Sequence, residues 1–487
     1  MSGMSNPCPD QCNVLLIGGG GREHAIAWKL SQSPKLGKLY ATDCTNGGIA
    51  SLAEPCDEPW DSARIFFIDR WCEEHDIHLI IVGPEVPLAE GIVDELTTDT
   101  RLVFGPTREA AKIESDKLYA KNLMRQASIP TADARSFTNA ATARQYVLRG
   151  LDREFTDDRM PEMSREVLGI LDNLSNNPRW VFQVSEELQA IIDIREDPCV
   201  VKASGLAAGK GVIVCKTVAE SLDAIQLIMD DQEFGDAGGT ILIEEFMIGQ
   251  EISVLALVDG STIWVLDLCQ DHKQVGEGDV GPNTGGMGAY CPAPLLDEEA
   301  MEFVEREILV PAVDGMRRDG IEYRGVLYAG IMLTKAGPKV LEFNCRFGDP
   351  ETQPLMLRLQ GDLVDILWRT ASGTLADAEI SFDDAVACCV VMCSKGYPGS
   401  YEKGKVIFGI EDAESTDGVV VFHAGTHVSN DQLTTSGGRV LGVTALAPNL
   451  STSQLLANSA CEKIDFDGAF WRHDIGCRVL SKGLQNK

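Results

Sequence analysis

Basic residues are scarce in this 487-residue chain: 42 lysines and arginines stand against 74 aspartates and glutamates, a formal charge of −32. A surface that negative repels phosphate backbones and acidic membranes, so neither nucleic acid nor a lipid surface is an expected partner. A small anionic substrate remains compatible with it, provided one cleft is locally positive. Long apolar runs are also missing. No stretch approaches 18 uninterrupted apolar residues, so no membrane span is expected. The N-terminal run VLLI lacks a basic stretch before it and is too short for a signal peptide. Among 15 cysteines there is no paired CxxC spacing, which excludes a zinc ribbon, and the chain is too long for a disulfide scaffold. The thiols are expected to be reduced and mostly buried, in a cytoplasmic protein. Neither a G-x-S-x-G elbow nor an HExxH helix occurs, so serine-hydrolase and zincin chemistry have no foothold.

What is present is an ordinary enzyme composition, 44% hydrophobic and 24% charged, over a length that suits about three domains. Near the N-terminus, apolar runs alternate with helical periodicity. NVLLI (13–17) runs into Gly18–Gly21 and then a helix; KLYATD, HLIIVG (78–83) and RLVFG (101–105) read as further strands. Residues 61–75 and 88–96 read as helices between them. That alternation predicts a small α/β domain with a parallel, Rossmann-like sheet over residues 1–115. A helix is expected over 107–127, ending before Pro130. Residues 150–197 are polar, with helical periodicity near 163–174 and 183–194, and read as a solvated insertion. From 198 onward short β runs dominate, followed by an amphipathic helix (298–319), two strands joined at Lys335–Gly337, and a helix over 351–372. The last hundred residues read as a small α+β domain.

Five segments carry chemistry. The strand–glycine turn–helix at 13–30 aims backbone N–H groups at an anion. It fails G-x-G-x-x-G, because Glu23 or His24 stands at the third glycine, and Asp43 falls 25 residues past Gly18, late for a ribose acid. A phosphate-bearing ligand fits and NAD does not; a tight turn without a ligand fits the same residues. SGLAAGKGVIV (204–214) has three residues between Gly205 and Gly209, one fewer than a Walker A loop, and Gly211 where Ser or Thr would hold magnesium. Lying between two β runs, it reads as a glycine-rich hairpin lid, with Lys210 and the preceding Lys202 directed at phosphates, or as an exposed hairpin with no ligand. TILIEEFMIGQEISV (240–254) ends a strand in Glu244 and Glu245. Such an edge suits an adenine ring, with Glu251 on the ribose, though solvated acids on an edge strand also fit. In KVLEFNCRFGDPETQP (339–354), strand alternation puts Glu342 and Asn344 on one side, an oxygen pair suited to Mg²⁺ with ATP phosphates. Arg346 continues that face and could clamp a carboxylate or phosphoryl group at two points. Residues 270–290 read as a long loop with six glycines, carrying Asp271, His272, Lys273, Asn283 and Thr284, with His272 expected to be structural.

Together these segments resemble the phosphoribosylamine–glycine ligase family. The resemblance is carried by GGGGREHAIAWKL, IVGPEVPLAEGIVDEL, FGPTREAAKIESDKLYAKNLM, VVKASGLAAGKGVIV, ILIEEFMIGQEISVLALVDG, QDHKQVGEGDVGPNTGGMGAYCPAP and LYAGIMLTKAGPKVLEFNCRFGDPETQPLMLRL. FHAGT and GGRVLGVTAL extend it, so it runs from about residue 13 to 481. It implies an ATP-grasp domain at 116–383, with a lid subdomain at about 130–248 interrupted by the 150–197 insertion, between the N-terminal domain and a C-terminal domain at 384–487. It implies ligation of glycine to 5-phosphoribosylamine with ATP, through a glycyl phosphate, as a step of purine synthesis. By motif, Lys117, Lys202, Ser204, Gly209, Lys210 and Gly211 would meet the ATP phosphates, Glu244, Glu245 and Phe246 the adenine, and Glu251 the ribose. Glu342 and Asn344 would bind Mg²⁺ or Mn²⁺. Gly20, Gly21, Arg22, Glu23, His24, Pro84, Glu85, Asn283, Thr284, Gly285, Gly286, Met287 and Asp349 would surround phosphoribosylamine and glycine. Arg346, with Lys202 and Lys210, would be catalytic. The chain departs from the pattern at Ser204, where Asp is expected, and in the length of 150–197. A monomer or weak homodimer is expected. Another ATP-grasp carboxylate–amine ligase, or a nucleotide-binding regulator without turnover, are the competing readings.

Overall fold

The strand Cys12–Ile17 is buried along almost its whole length, as a central strand covered on both faces must be. In the computed structural model, which describes residues 7–155, 165–170, 173, 185–207, 210–429 and 432–483, that strand is the middle of five. The order is Glu54–Pro55, Leu36–Ala41, Cys12–Ile17, Leu79–Val82, Leu102–Phe104, all parallel. The order reverses at Cys12–Ile17. Ligands of open α/β sheets bind beyond the carboxyl ends of the strands at such a reversal. Gly18–Gly21 and Gly83–Glu85 leave the two strands that flank it.

The described residues divide into two compact units, one up to Ala111 with Ala127–Ile129 and everything from Gln250, the other holding Lys112–Gln126 and Pro130–Gly249. The first unit contains the parallel sheet, two larger antiparallel ones and two two-stranded antiparallel ribbons. One sheet is ordered Ile263–Val265, Gln250–Asp259, Arg324–Thr334, Gly337–Asn344. The other is ordered Gln270–Asp271, Gly288–Cys291, Val386–Ser394, Arg439–Ala447, Val419–His423, with Ala469–Phe470 paired to Val386–Ser394. Residues 270–290 are therefore not one long loop. Their ends are strands of the C-terminal sheet, and Gln274–Gly276 pairs with Val280–Asn283 between them.

The second unit is a four-stranded antiparallel sheet ordered Ala134–Phe137, Ile241–Glu245, Glu196–Ala203, Val212–Thr217. Val201, Ala203, Cys215, Ile241 and Ile243 face helices Ala140–Phe155, Glu186–Ile194 and Val218–Ile225 in one apolar core. Within the 150–197 segment, residues 165–170 and Glu186–Ile194 are helical as the periodicity predicts; residues 156–164, 171–172 and 174–184 lie outside the described residues.

Three expected helices are broken by local chemistry. The 88–96 helix is split at Gly91, whose φ of +93° is left-handed. The 107–127 helix becomes Arg108–Ser115 and Lys117–Gln126, because the Asp116 carboxylate accepts the Leu118 and Tyr119 N–H groups and starts a new helix. The 351–372 helix becomes Thr352–Arg358 and Leu363–Ser372, the second capped by Asp362.

Candidate active site

In the second unit the lid hairpin is tied to a helix start. Ser204 Oγ donates to Asp116 Oδ1 at 3.0 Å, the Lys117 N–H donates to the Ser204 carbonyl at 2.9 Å, and Lys117 Nζ reaches the Gly205 carbonyl at 3.3 Å. Ser204 thus uses its hydroxyl to hold the hairpin on the cap of the Lys117–Gln126 helix. Below the hairpin, Glu244 is buried with two lysines: Lys202 Nζ lies 2.9 Å from Oε2 and Lys121 Nζ 3.3 Å from Oε1. Burial lowers the Lys121 pKa to about 8 against the pull of Glu244, with Lys202 adding repulsion. The edge-strand reading of Glu244 and Glu245 does not hold, since Ile241–Glu245 pairs on both sides and the Glu245 N–H goes to the Asp133 carbonyl. Phe246, just past the strand, is exposed. Lys210 and Gly211 follow the hairpin turn, and Gly211 accepts the Ala203 N–H. Gly209 lies outside the described residues.

The first unit gathers the other candidates. Along 342–347 the alternation predicted from sequence is present: Phe343, Cys345 and Phe347 are buried, and Glu342, Asn344 and Arg346 are half-buried between them. Leu341 is skipped in the pairing with Arg324–Thr334, so a bulge precedes Glu342 and sets that face. Arg346 Nη2 approaches Asn344 Oδ1 at 3.4 Å, and its Nε lies 3.6 Å from Glu85 Oε2. Burial opposes the charge on Glu85, but Arg346 and then Arg22 outweigh it and lower its pKa. Glu251 pairs with Lys273 at 2.8 Å. Burial disfavours the Lys273 cation, yet Glu251, Glu342 and Asp271 together raise its pKa. Asp271, beside the Gly286 turn, is buried, and its pKa is raised by that burial and then by Glu351.

At the switch point the glycine turn closes on its own acid. Glu23 Oε2 accepts the Gly20 N–H at 2.6 Å, and Oε1 accepts from Arg22 Nε at 2.6 Å. This is half of a capping box, turned into a cradle. A Cβ at Gly83 would overlap the Glu23 carboxylate, and one at Gly18, where φ is +112°, would come within 2.9 Å of its Cγ. Those glycines are demanded by the acid. His24 is buried and turned to the C-terminal sheet, where its Nδ1 accepts the His423 N–H at 2.7 Å. Pro84 and Glu85 begin the helix Glu85–Glu90. The turn at Asn283–Met287 returns through two hydrogen bonds from Thr284 to the Lys273 carbonyl and one from the Met287 N–H to the His272 carbonyl. His272 is fully buried, accepts the Gly476 N–H and lies against Arg472 and Asp279, which is a structural placement.

The family model for the N domain of phosphoribosylglycinamide synthetase matches residues 12–114, that for its ATP-grasp (A) domain residues 174–352, and that for its C domain residues 387–478. The chain belongs to the phosphoribosylglycinamide synthetase family. Over 470 residues it is 45% identical to the phosphoribosylamine–glycine ligase of Rhodopirellula baltica, covering 96% of this chain and 98% of that one. It is 43% identical to the ligase of Ralstonia nicotianae, covering 96% and 100%. A crystal structure of phosphoribosylamine–glycine ligase from Thermotoga maritima, 26% identical, covers 95% of this chain and 100% of that one with a TM-score of 0.71. The ADP complex of N5-carboxyaminoimidazole ribonucleotide synthetase, 15% identical with a TM-score of 0.58, covers 95% of this chain and 98% of that one and shares the fold. ATP-grasp enzymes of this kind use ATP and a divalent metal ion.

Within this family fold, several residues escaped the motif reading. Lys121 lies one helical turn after Lys117, a spacing that was available as a signal. Asn46 caps a short helix and donates to the Gly19, His423 and Ala424 carbonyls, binding the glycine turn to the C-terminal sheet. Arg439 pairs with Asp349 at 2.9 Å, donates to the Asp349 carbonyl at 2.8 Å, and also bonds the Gly285 carbonyl. Gln353 adds a bond to Asp349 Oδ1 at 3.0 Å. Burial works against the Asp349 charge, but Arg439, Arg22 and Arg346 lower its pKa. Arg439 lies within GGRVLGVTAL, yet nothing in its local pattern names a partner 90 residues earlier.

Proposed function

We propose that this chain is an ATP-dependent carbon–nitrogen ligase that joins glycine to 5-phosphoribosylamine, releasing ADP and phosphate, in the purine-forming sequence to glycinamide ribonucleotide. The observation that carries the residue assignment is the alternating Glu342, Asn344, Arg346 face, with Glu85 and Asp349 held at low pKa by the arginines around them. A glycine carboxylate is a poor electrophile. Attack of its oxygen on the γ-phosphorus of ATP gives glycyl phosphate and ADP; attack of the sugar amine on the carbonyl then expels phosphate. Such transfers depend on positioning and neutralisation of charge rather than on a protein nucleophile.

Arg346 would hold the glycine carboxylate and then the acyl phosphate, a task for a planar two-point donor. Lys117, Lys202, Ser204, Lys210 and Gly211 would meet the phosphates, with Lys202 kept in place by Glu244. Adenine would rest at the end of the Ile241–Glu245 strand beside Phe246, and Glu251 would take the ribose. Glu342 and Asn344 supply a carboxylate and an amide oxygen, hard donors that fit Mg²⁺ or Mn²⁺. A divalent cation bound there supplies charge neutralisation on the phosphate oxygens. The glycine turn at 20–24, the 84–85 helix start, the 283–287 turn and Asp349 would enclose phosphoribosylamine. The protein would act in the cytoplasm as a monomer or weak homodimer, through domains at 1–115, 116–383 and 384–487; the matched family segments support this division. No helix among the described residues is long and apolar enough to cross a membrane.

A coupled assay of ADP release decides the reading. Turnover should require glycine and phosphoribosylamine together with a divalent cation. Release that ignores glycine overturns it.

A further inference from the structure

Cys199 and Cys215 are direct partners across the antiparallel pair Glu196–Ala203 and Val212–Thr217. Opposed residues in such a pair project to one face, with Cβ atoms roughly 4.5–5.5 Å apart and Cα atoms about 4.5–5.5 Å apart. A disulfide spans Cα separations of about 4.4–6.8 Å and Cβ separations of about 3.5–4.5 Å, so the strand spacing admits the bond once the two Cβ atoms draw slightly together. Both sulfurs lie on the core face of the hairpin that carries Lys202 and the 204–211 turn, and Cys199 Sγ lies 3.2 Å from Ser221 Oγ. Two other neighbouring thiol pairs, Cys8 with Cys12 and Cys269 with Cys291, are buried at both residues. Cys199 is only half-buried while Cys215 is buried, so Cys199 is the partner nearer the surface.

We propose that Cys199 and Cys215 form a reversible redox-modification site whose co-reactant is a small hydroperoxide. The Cys199 thiolate attacks the outer peroxide oxygen, the O–O bond breaks, and the leaving alkoxide or hydroxide takes a proton, leaving Cys199 sulfenic acid. The Cys215 sulfur then attacks the Cys199 sulfur. The S–S bond forms, and the departing hydroxide leaves as water with the Cys215 proton. The two thiols lose two electrons and the peroxide gains them. A dithiol reductant reverses the sequence by exchange. The polarity of the pair suits this order: the adjacent Cys215 thiol, then Ser221, lowers the Cys199 pKa against burial, while the nearness of Cys199 and burial raise that of Cys215. The product would staple the two strands on either side of the glycine-rich turn.

The test uses the full-length protein, reduced, freed of reductant and treated with hydrogen peroxide. Non-reducing proteolysis and mass spectrometry should recover the Cys199 and Cys215 peptides joined and lighter by two hydrogens, with dithiothreitol restoring both thiols. In Cys215→Ser, Cys199 should stop at the sulfenic acid and be captured by dimedone. In Cys199→Ser, Cys215 should remain a thiol. Cys199 still free after peroxide, or joined to any other cysteine, overturns the proposal. The wild-type measurement stands alone if either variant fails to fold. The readout is the bond itself, so its failure leaves the ligase reading untouched.

Discussion

Arg346 sits where two demands meet. It contacts Asn344 and Glu85, and it follows two residues suited to a metal. Lysine at that position keeps the charge and loses the planar fork, so Arg346→Lys should lower kcat by about 100-fold, the scale of losing one preorganised transition-state donor. A coupled ADP-release assay checks it. Glu342→Ala removes the one carboxylate of the metal pair proposed here. The variant should melt like the parent without ligand and lose the rise in melting temperature that Mg-ATP gives; an unchanged rise would remove Glu342 from the metal role. Glu244 predicts a different failure. Its carboxylate is shared by two buried lysines, so Glu244→Ala leaves two like charges facing each other and should cost about 3–5 kcal/mol of stability in the second unit. Denaturant titration, followed by hydrogen exchange of the Ile241–Glu245 strand, measures that cost.

At the scale of elements, the polar or small residue at a helix start decides more than the periodicity behind it. The apolar pattern over 107–127 is continuous, yet Asp116 divides it by accepting two N–H groups and one hydroxyl. Asp116→Ala should cost about 1 kcal/mol through the lost cap and release the Ser204 hydroxyl as well. Faster amide exchange in the first turn of Lys117–Gln126 and at Ser204 is the expected sign. Strand alternation was legible from Glu342 onward, past the bulge at Leu341, because a half-buried strand writes its two faces into every second residue. The 270–290 segment was not legible as strands. Gln270–Asp271 and Gly288–Cys291 are two and four residues long; the first is a strand through pairing with the second, and the second through pairing with Val386–Ser394, more than 90 positions later. The same holds for Glu244. Its sequence neighbours suggest a solvated edge, and only Lys121 and Lys202, supplied by another helix and strand, make it a buried ion pair.

Across the first unit, two histidines join the ends of the chain. His24 and His423 stack edge to face at 5.4 Å. Burial, with repulsion from His423, lowers the His24 pKa to about 3, and burial lowers that of His423 to about 4. Both are neutral in folded and unfolded chains above pH about 6.5 and contribute nothing to pH dependence there. Below that value the unfolded chain takes up protons that the folded chain refuses. Stability should therefore fall by about 1.4 kcal/mol per pH unit for each histidine, until pH approaches 4 and then 3. Denaturation midpoints between pH 7.5 and 5 test this, and His423→Phe should roughly halve the slope. The N-terminal sheet and the glycine turn were readable in the sequence because each is local. The links of Asn46 and His24 to the C-terminal sheet, nearly 400 residues on, and of Arg439 back to Asp349, 90 residues earlier, were not, since no local pattern records such distant contacts.

The pairing of Gly288–Cys291 with Val386–Ser394 sets a timetable for the living cell. During translation, the turn at 283–287 emerges a hundred residues before the strand that anchors its return leg. Until the ribosome releases that strand, and Arg439 after it, the turn lacks the pairing that anchors its return leg and the bond to its Gly285 carbonyl. A nascent chain stalled between the two would lack both contacts, so, on the proposed function, ligase activity should arrive late, with the final strands.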